Sequence, residues 1–190
     1  MEKILVIDNY DSFTYNLVHY IESNPNYEVD VFRNDEITLN DVRKYDTIIL
    51  SPGPGLPKDN QILYEVIKTY APTKKILGVC LGMQAIGEFF GGTLINLPTV
   101  YHGVASPIEV IDERDLLFKN LPQHLKVGRY HSWVISNDNF PKELTVTSIA
   151  EDKQVMSIKH KKFNAYGVQF HTESILTEHG KEIIANFLAI

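Results

Sequence analysis

The first half of the chain alternates short apolar runs with amphipathic segments. Continuous apolar runs indicate strands that are covered on both faces, whereas apolar residues three or four positions apart indicate helices. Strands are therefore predicted at Ile4 to Ile7, Tyr27 to Phe32, Thr47 to Leu50 and Lys75 to Val79. Helices are predicted from the N-cap Asp11-Ser12 through Phe13, Leu17, Val18 and Ile21 to Asn24-Pro25, at Ile62 to Tyr70, and at Met83 to Phe90. This alternation predicts parallel β-α-β units with helices on both faces of one sheet.

The second half, after Gly91-Gly92, is richer in β-branched and aromatic residues, which favours strands. Strands are predicted at Val104 to Ile111, Leu125 to Gly128, Leu144 to Ile149, Gln154 to His160 and Ala165 to Phe170. Glu151-Asp152-Lys153 is predicted to form a hairpin turn, and Ile175 to Leu188 a closing helix. The predicted fold is α/β, a flavodoxin-like three-layer α/β/α sandwich. Its mixed, mostly parallel central sheet carries antiparallel strands in the C-terminal half. No repeat or linker divides the chain, so residues 1–190 are expected to form one domain.

Composition and charge narrow the class of protein. The 190 residues include 24 acidic and 18 basic side chains, and the net charge of −6 argues against broad binding of nucleic acid. No segment approaches the ~20 consecutive apolar residues of a membrane span. The first residues, Met1 to Asp8, are interpreted as a folded strand rather than a signal peptide. We therefore expect a cytoplasmic protein that binds neither nucleic acid nor membrane.

The single cysteine, Cys80, excludes an intramolecular disulfide and a Cys-based zinc cluster. It follows a predicted strand and precedes a predicted helix, with Gly78 two residues before it and Gly82 two residues after it. This spacing is typical of a nucleophile elbow, in which glycines let the strand and the helix approach closely. A thiol there lies at the carboxyl edge of the sheet and at a helix N-terminus, which favours the thiolate. Free cysteines are more often buried packing residues, but the two glycines favour the functional interpretation.

A thiol nucleophile needs a base, because a free thiol with a pKa of about 8.5 is only a few per cent ionised at neutral pH. The chain has seven histidines, of which His19, His160 and His179 are expected to be solvated. His171 instead ends a predicted strand, and Glu173 follows two residues later, where a carboxylate can orient the imidazole. Taken alone this pair is a weak signal. Together with the elbow it predicts cysteine-based acyl transfer.

The loop Ser51-Pro52-Gly53-Pro54-Gly55 directly follows a predicted strand. Its prolines make it rigid and its glycines leave backbone amides unobstructed, so it can form an oxyanion hole beside the elbow. A plain strand-to-helix turn would use the same residue types. The loop lacks the Lys-Ser/Thr pair of a phosphate-binding P-loop and the spacing of a dinucleotide motif, so nucleotide binding is not supported.

Five blocks, in order along essentially the full chain, resemble the class I (cysteine-triad) glutamine amidotransferases. Within that family they look most like the small glutaminase subunits of anthranilate synthase and aminodeoxychorismate synthase. The blocks are Asp8 to Leu17, Ser51 to Gly55, Gly78 to Gly82, Gly128 to Ser132 and Gln169 to Ser174.

The resemblance implies a role for each matching residue. Cys80 would attack the side-chain amide of L-glutamine, and His171, oriented by Glu173, would move the protons. The backbone amides of Gly55 and Leu81 would form the oxyanion hole. The glutamine would be bound by Gly53, Pro54, Gly55, Gln84, His131, Ser132 and Trp133. The ammonia would pass through a channel to a larger chorismate-binding synthase subunit, component I, and the family implies no metal and no cofactor in this chain.

Four positions depart from the family pattern: Met83 replaces the usual His, Val104 a Lys, Thr172 a Pro, and Trp133 a Leu. The residues at positions 83 and 172 carry no proton in the implied mechanism, so activity is expected to survive. Val104 alters a stretch near the expected partner, and Trp133 adds bulk beside the expected glutamine site.

Two other functions stay open at this point. The chain could be a non-catalytic α/β module that binds and activates a partner, although a decayed site would be expected to lose Cys80, His171 or Glu173. It could also be another cysteine hydrolase on the same elbow, such as a peptidase. The resemblance also leaves open whether the aminated product is anthranilate, 4-amino-4-deoxychorismate, or both.

Overall fold

A nine-stranded mixed sheet forms the centre of the structure, a computed structural model that describes residues 1–190. The strands are β1 (Glu2–Asp8), β2 (Tyr27–Arg33), β3 (Thr47–Leu50), β4 (Lys75–Val79), β5 (Leu94–Asn96), β6 (Val104–Val110), β7 (His124–Arg129), β8 (Trp133–Ile135), β9 (Leu144–Ala150), β10 (Val155–His160) and β11 (Ala165–Val168). The order across the sheet is β2-β1-β3-β4-β11-β10-β9-β6-β7. Strands β2 to β11 in this order run parallel, and the remaining pairings are antiparallel. This architecture confirms the predicted mixed sheet with antiparallel strands in the C-terminal half.

Two hydrophobic cores lie on opposite faces of this sheet, which makes the fold a three-layer α/β/α sandwich. The helices are α1 (Thr14–Glu22), α2 (Leu39–Val42), α3 (Gln61–Tyr70), α4 (Leu81–Phe89) and α5 (Gly180–Leu188). Apolar residues of α1 and α5 pack in one core, and those of α2, α3 and α4 in the other. In β1, Ile4 and Val6 belong to the first core, whereas Leu5 and Ile7 belong to the second. Successive side chains of a strand point to opposite faces, so a strand covered on both sides has to be continuously apolar.

None of the five helices has both the length and the apolar character that crossing a membrane requires.

The first helix begins later than its predicted cap. Asp11-Ser12 is not the N-cap: that position belongs to Phe13, and no side chain caps the helix there. Asp11 instead accepts a hydrogen bond from the backbone N–H of Phe13 in the preceding turn, at 2.8 Å. Phe13 is 37% exposed and does not join the core. A local turn at Asp11 to Phe13 therefore precedes the helix.

The closing helix is shorter than its apolar pattern predicts. It begins at Gly180 rather than Ile175, because the chain turns through residues 175–179 and His179 has a left-handed backbone with φ of +58°. Ile175 is almost fully exposed. A left-handed residue interrupts the helical hydrogen-bond ladder, so α5 starts only after it. Two elements escaped prediction, the short helix α2 and the small antiparallel ladder of β5 with β8.

Candidate active site

The carboxyl ends of the parallel strands converge on one edge of the sheet. Ser51 follows β3 and donates its backbone N–H to the Ile7 carbonyl of β1 at 3.0 Å. Cys80 follows β4 and donates its backbone N–H to the Val168 carbonyl of β11 at 2.8 Å. The segment after β11 carries His171. Open α/β sheets bind ligands at this edge, and the topology brings the loop, the thiol and the imidazole there together.

The turn at Cys80 has the close approach of strand and helix that the glycine spacing predicts. A Cβ on Gly78 would lie 2.3 Å from the carbonyl carbon of Gly82, and one on Gly82 would lie 2.4 Å from the carbonyl oxygen of Leu50. Cys80 itself has φ of +51° and ψ of −102°, a strained conformation for a residue with a side chain. Its thiol is largely buried and lies at the N-terminus of α4, where the helix dipole stabilises negative charge.

His171 and Glu173 form a buried pair. Nδ1 of His171 lies 2.6 Å from Oε1 of Glu173. Nε2 of His171 is buried and otherwise unpartnered, so it is the nitrogen available to the Cys80 thiol. Burial alone lowers the pKa of His171, but the adjoining Cys80 and Glu173 side chains outweigh burial and hold this pKa well above its usual value. The arrangement therefore favours a protonated His171 imidazole between the Cys80 sulfur and the Glu173 carboxyl group.

The carboxyl group of Asp11 lies close to the His171–Glu173 pair. One nitrogen or oxygen atom from each of Asp11, His171 and Glu173 lies within 4.8 Å of the others. Nδ1 of His171 is already engaged by Glu173. Burial raises the pKa of Asp11, and the nearby Glu173 carboxylate adds to that rise. Asp11 was not predicted as a site residue, although it lies in the first block of the resemblance.

Hydrogen bonds from Asn9 hold the loop after β3. Its backbone N–H donates to Ser51 Oγ and its side-chain amide to the Ser51 carbonyl, both at 2.8 Å. A Cβ on Gly53 would lie 2.5 Å from the Asn9 carbonyl and 3.1 Å from Leu81, so the loop packs directly against the first turn of α4. Gly55 has φ of +76°, and its N–H donates to no other group in the protein. The two amides expected to form an oxyanion hole thus belong to segments in direct contact.

A cleft of about 220 Å³ opens beside the thiol. It is lined by Gly53, Pro54, Gly55, Cys80, Gln84, Val100, Tyr101, His102, Tyr130, His131, Ser132 and Trp133. All seven residues expected to bind glutamine are in this set. Leu81, His171 and Glu173 are not, because they are buried beside the cleft rather than in its wall.

His131 in the wall of this cleft is neutral. Burial, and then the charge of Arg129, lower its pKa to about 3. Nε of Arg129 lies 3.1 Å from Nε2 of His131, and Nδ1 of His131 lies 3.1 Å from the Trp133 carbonyl. A guanidinium can only donate, so Nε2 is the acceptor and Nδ1 carries the proton. Gln84 donates to the same Trp133 carbonyl at 2.9 Å.

Aromatic rings cover His171. The ring of Tyr130 lies 4.8 Å from the imidazole, and its hydroxyl forms a 3.0 Å hydrogen bond with Ser174 Oγ. Phe13 approaches the same imidazole edge-on, with ring centroids 6.3 Å apart. Neither residue was predicted to be part of the site. Both residues belong to blocks of the resemblance, Phe13 to the first and Tyr130 to the fourth, so their sequence neighbours were the available signal.

His160 contradicts its predicted solvated role. It is buried and stacks on Phe163 with ring centroids 4.2 Å apart. Its Nδ1 accepts the backbone N–H groups of Lys162 and Phe163. Its sequence neighbours Lys161 and Lys162 are exposed, so the local composition does not reveal that His160 is buried. His19 is exposed and His179 partly exposed, as expected.

The whole chain is similar to known proteins in sequence and in fold. The sequence model of the family described as "Glutamine amidotransferase class-I" matches residues 5–190. The "Anthranilate synthase component 2" of Cyanophora paradoxa is 46% identical, and the match covers 97% of each chain. The "Bifunctional protein TrpGD" of Thermotoga maritima is 44% identical over the whole chain, which spans 32% of that longer protein. A crystal structure described as a putative GMP synthase protein from Thermoplasma acidophilum superposes with a TM-score of 0.88 at 26% identity, covering 100% of this chain and 93% of that one.

Proposed function

Because the chain belongs to the class I glutamine amidotransferase family, we propose that it hydrolyses L-glutamine to glutamate and ammonia as the glutaminase subunit of anthranilate synthase. The observation that carries this proposal is the elbow thiol of Cys80 beside the 2.6 Å His171–Glu173 pair, at the mouth of a cleft lined by the expected glutamine-binding residues. The names of relatives at 41% to 47% identity favour anthranilate over aminodeoxychorismate as the product.

The reaction follows from the positions of these groups. The Cys80 sulfur attacks the side-chain amide carbon of glutamine, and the oxyanion that forms accepts hydrogen bonds from the amides of Gly55 and Leu81. His171 gives its proton to the leaving nitrogen, so ammonia departs and a glutamyl thioester remains. His171 then takes a proton from water, whose oxygen attacks the thioester carbon. Collapse of this second intermediate releases glutamate and restores the thiolate.

The cleft supplies polar groups for the substrate. Both N–H bonds of the Gln84 amide are used within the protein, one on the Trp133 carbonyl and one on Gln169. Gln84 therefore meets the substrate with its side-chain oxygen, an acceptor that suits an N–H donor of glutamine. The Trp133 carbonyl already accepts two hydrogen bonds, so it serves to hold Gln84 and His131. Gly53, Pro54, Gly55, Ser132 and the Trp133 side chain complete the wall.

The ammonia requires an acceptor that this chain does not provide. Several relatives are named as a beta subunit or component II of anthranilate synthase, which supports a larger chorismate-aminating subunit as the partner. We place the activity in the cytoplasm, where the lone thiol stays reduced.

Glutamate release measured with and without the cognate synthase subunit tests the function. We expect weak activity alone, strong activity in the complex, and none for Cys80→Ser. His171→Ala should slow thioester formation, whereas the matched surface variant His19→Ala should behave as the wild type. Stimulation of the synthase by a fully inactive Cys80→Ser chain without added ammonia would instead support a non-catalytic activator, and peptide cleavage a different hydrolase.

A second measurement follows the nitrogen. Glutamine labelled with ¹⁵N in its side-chain amide is supplied together with excess unlabelled ammonium. Transfer through a channel predicts that anthranilate carries mostly ¹⁵N. Dilution of the label to the composition of the bulk ammonium pool would contradict channelling.

A further inference from the structure

A continuous chain of buried and partly buried hydrogen bonds connects Arg129 to the sulfur of Cys80. Arg129 donates to Nε2 of His131, and Nδ1 of His131 contacts the Trp133 carbonyl. Gln84 Nε2 donates to the same carbonyl. From there Gln84 Nε2 lies 3.2 Å from Oε1 of Gln169, and Nε2 of Gln169 lies 3.5 Å from Cys80 Sγ. Gln169 has no exposed surface. It is held in place by its backbone N–H, which donates to the Met156 carbonyl at 2.8 Å.

Two groups with fixed roles, the Arg129 guanidinium and the Trp133 carbonyl, determine which atom donates in each hydrogen bond of this chain. Arg129 only donates and the Trp133 carbonyl only accepts, so neutral His131 carries its proton on Nδ1. Gln84 must turn its nitrogen toward the same carbonyl, because its oxygen there would face another acceptor. The second N–H of Gln84 then requires the oxygen of Gln169. A flipped Gln169 would oppose two donors, so its N–H group faces the sulfur.

We propose that Gln169 is a further catalytic residue, whose side-chain N–H donates to the Cys80 sulfur, and that Arg129 is a positioning residue that orients it through His131 and Gln84. The proposal rests on the proposed function and adds to it a residue outside the Cys80–His171–Glu173 set. A donor aimed at the sulfur stabilises the thiolate relative to the thiol. It also stabilises the sulfur as it leaves, when the thioester is hydrolysed and the negative charge returns to it.

Several titratable groups face the same sulfur or its cleft. His171 is adjacent, with Glu173 and Asp11 behind it. Tyr101, His102, Tyr130 and His131 line the cleft. All of these remain in place when Gln169 is replaced, so a change in thiol ionisation in such a variant reports on the amide.

Alkylation by iodoacetamide between pH 4.5 and 9.5 measures the ionised fraction of Cys80 directly, because the chain has no other thiol. Gln169→Met has similar volume and no N–H donor. Gln169→Leu is a second uncharged variant that also lacks the N–H donor. We expect the midpoint of the alkylation profile to move up by about one pH unit in both variants. This corresponds to about tenfold slower alkylation at a pH below both midpoints. Gln61→Met, an exposed site, is the matched control and should follow the wild type.

Circular dichroism and thermal melting identify which of the two Gln169 variants keeps the fold, and that variant decides the result. An unchanged alkylation midpoint overturns the proposal. Arg129→Met should move the midpoint in the same direction by a smaller amount, and no movement overturns the positioning role of Arg129. Alkylation uses neither glutamine nor the synthase. A midpoint that shifts in the Gln169 variants, when the wild-type chain has no glutaminase activity, would therefore contradict the proposed function and support only the hydrogen bond from Gln169 to the sulfur.

Discussion

At the residue scale, two buried imidazoles near the thiol have opposite electrostatics. His171 lies between the Cys80 sulfur and the Glu173 carboxylate, and its pKa is raised because these partners outweigh burial. His131 is buried beside the guanidinium of Arg129, and its pKa is lowered to about 3. One histidine is therefore suited to carry a proton, and the other to keep a fixed neutral tautomer in the wall of the cleft.

Glu173→Gln tests the electrostatic role of the carboxylate. Its removal should lower the titration midpoint of His171, measured by NMR of the imidazole protons. It should also lower kcat for glutamine hydrolysis about 10²- to 10⁴-fold, as loss of an orienting carboxylate does elsewhere.

Because the folded pKa of His171 is raised, the stabilisation from protonated His171 is fully present below the unfolded value of about 6.5 and is lost as the pH rises toward the folded pKa.

The matched control is Glu182→Gln. Glu182 contacts His179 at 3.4 Å on the surface, so its removal should leave both kcat and the His171 midpoint unchanged. An unaltered His171 midpoint in Glu173→Gln would contradict the interpretation.

His131→Gln should reduce the acid sensitivity of folding. The folded pKa of His131 lies below its unfolded value, so the unfolded chain binds one more proton between about pH 6 and pH 3. Stability is therefore lost as the pH falls, by about 1.4 kcal/mol per pH unit from this group. Urea unfolding at several pH values measures the slope. The variant should have the shallower slope, and exposed His19→Gln the wild-type slope. Equal slopes in His131→Gln and the wild type would show that His131 is protonated in the folded state.

At the scale of elements, the geometry of the elbow depends on close packing of backbone segments. Helix α4 lies so close to β4 and β3 that neither Gly78, which faces Gly82, nor Gly82, which faces Leu50 of β3, has room for a methyl group. The loop after β3 is held from the other side by Asn9 and packs against Leu81. These contacts place a strained Cys80 where its sulfur meets the cleft.

Gly78→Ala should therefore destabilise the protein by about 3 kcal/mol or more, because the new Cβ would overlap the Gly82 carbonyl, which is backbone and cannot turn aside. Gly91→Ala is the contrasting variant. Its Cβ would meet nothing within 4 Å, and it carries only the cost of φ at +97°, about 1 kcal/mol. Denaturant unfolding and glutaminase assays compare the two. Equal stability losses would show that the elbow has room to relax.

At the scale of the whole molecule, the parallel and antiparallel halves of the sheet share one central strand. β11 pairs with β4 on one side and with β10 on the other, and the chain that leaves it carries His171. The first hydrophobic core draws residues from both halves, including Ile4 of β1 and Ile108 of β6. We propose that residues 1–190 form a single domain that unfolds as one unit.

Two probes test this cooperativity. The chain has one tryptophan, Trp133 in β8, so its fluorescence reports on the second half, while far-UV circular dichroism reports on all helices and strands. Urea transitions followed by the two probes should coincide, as in two-state unfolding. A fluorescence transition well separated from the dichroism transition would indicate two units.

The elements that depend on local pattern were predictable. Strand β3 and strand β4 lie where their apolar runs predict them, because burial on both faces leaves only their first residues polar. The elbow was also predictable from a local pattern, because the close packing of strand and helix requires glycine at fixed spacing around Cys80. The start of α5 was not, because the left-handed turn at His179 lies inside an apolar pattern that continues through it.

The sequence by itself determined the layered fold and, through five blocks, the family, and it predicted Cys80 as the nucleophile. These properties depend on residue type and spacing along the chain. Only the tertiary structure decided that His160 is buried, that His131 is neutral, and that the amide of Gln169 turns its N–H to the sulfur. Such properties depend on partners brought together by strand pairing between distant segments. Burial and hydrogen-bond direction are set by those partners and leave no local pattern in the sequence.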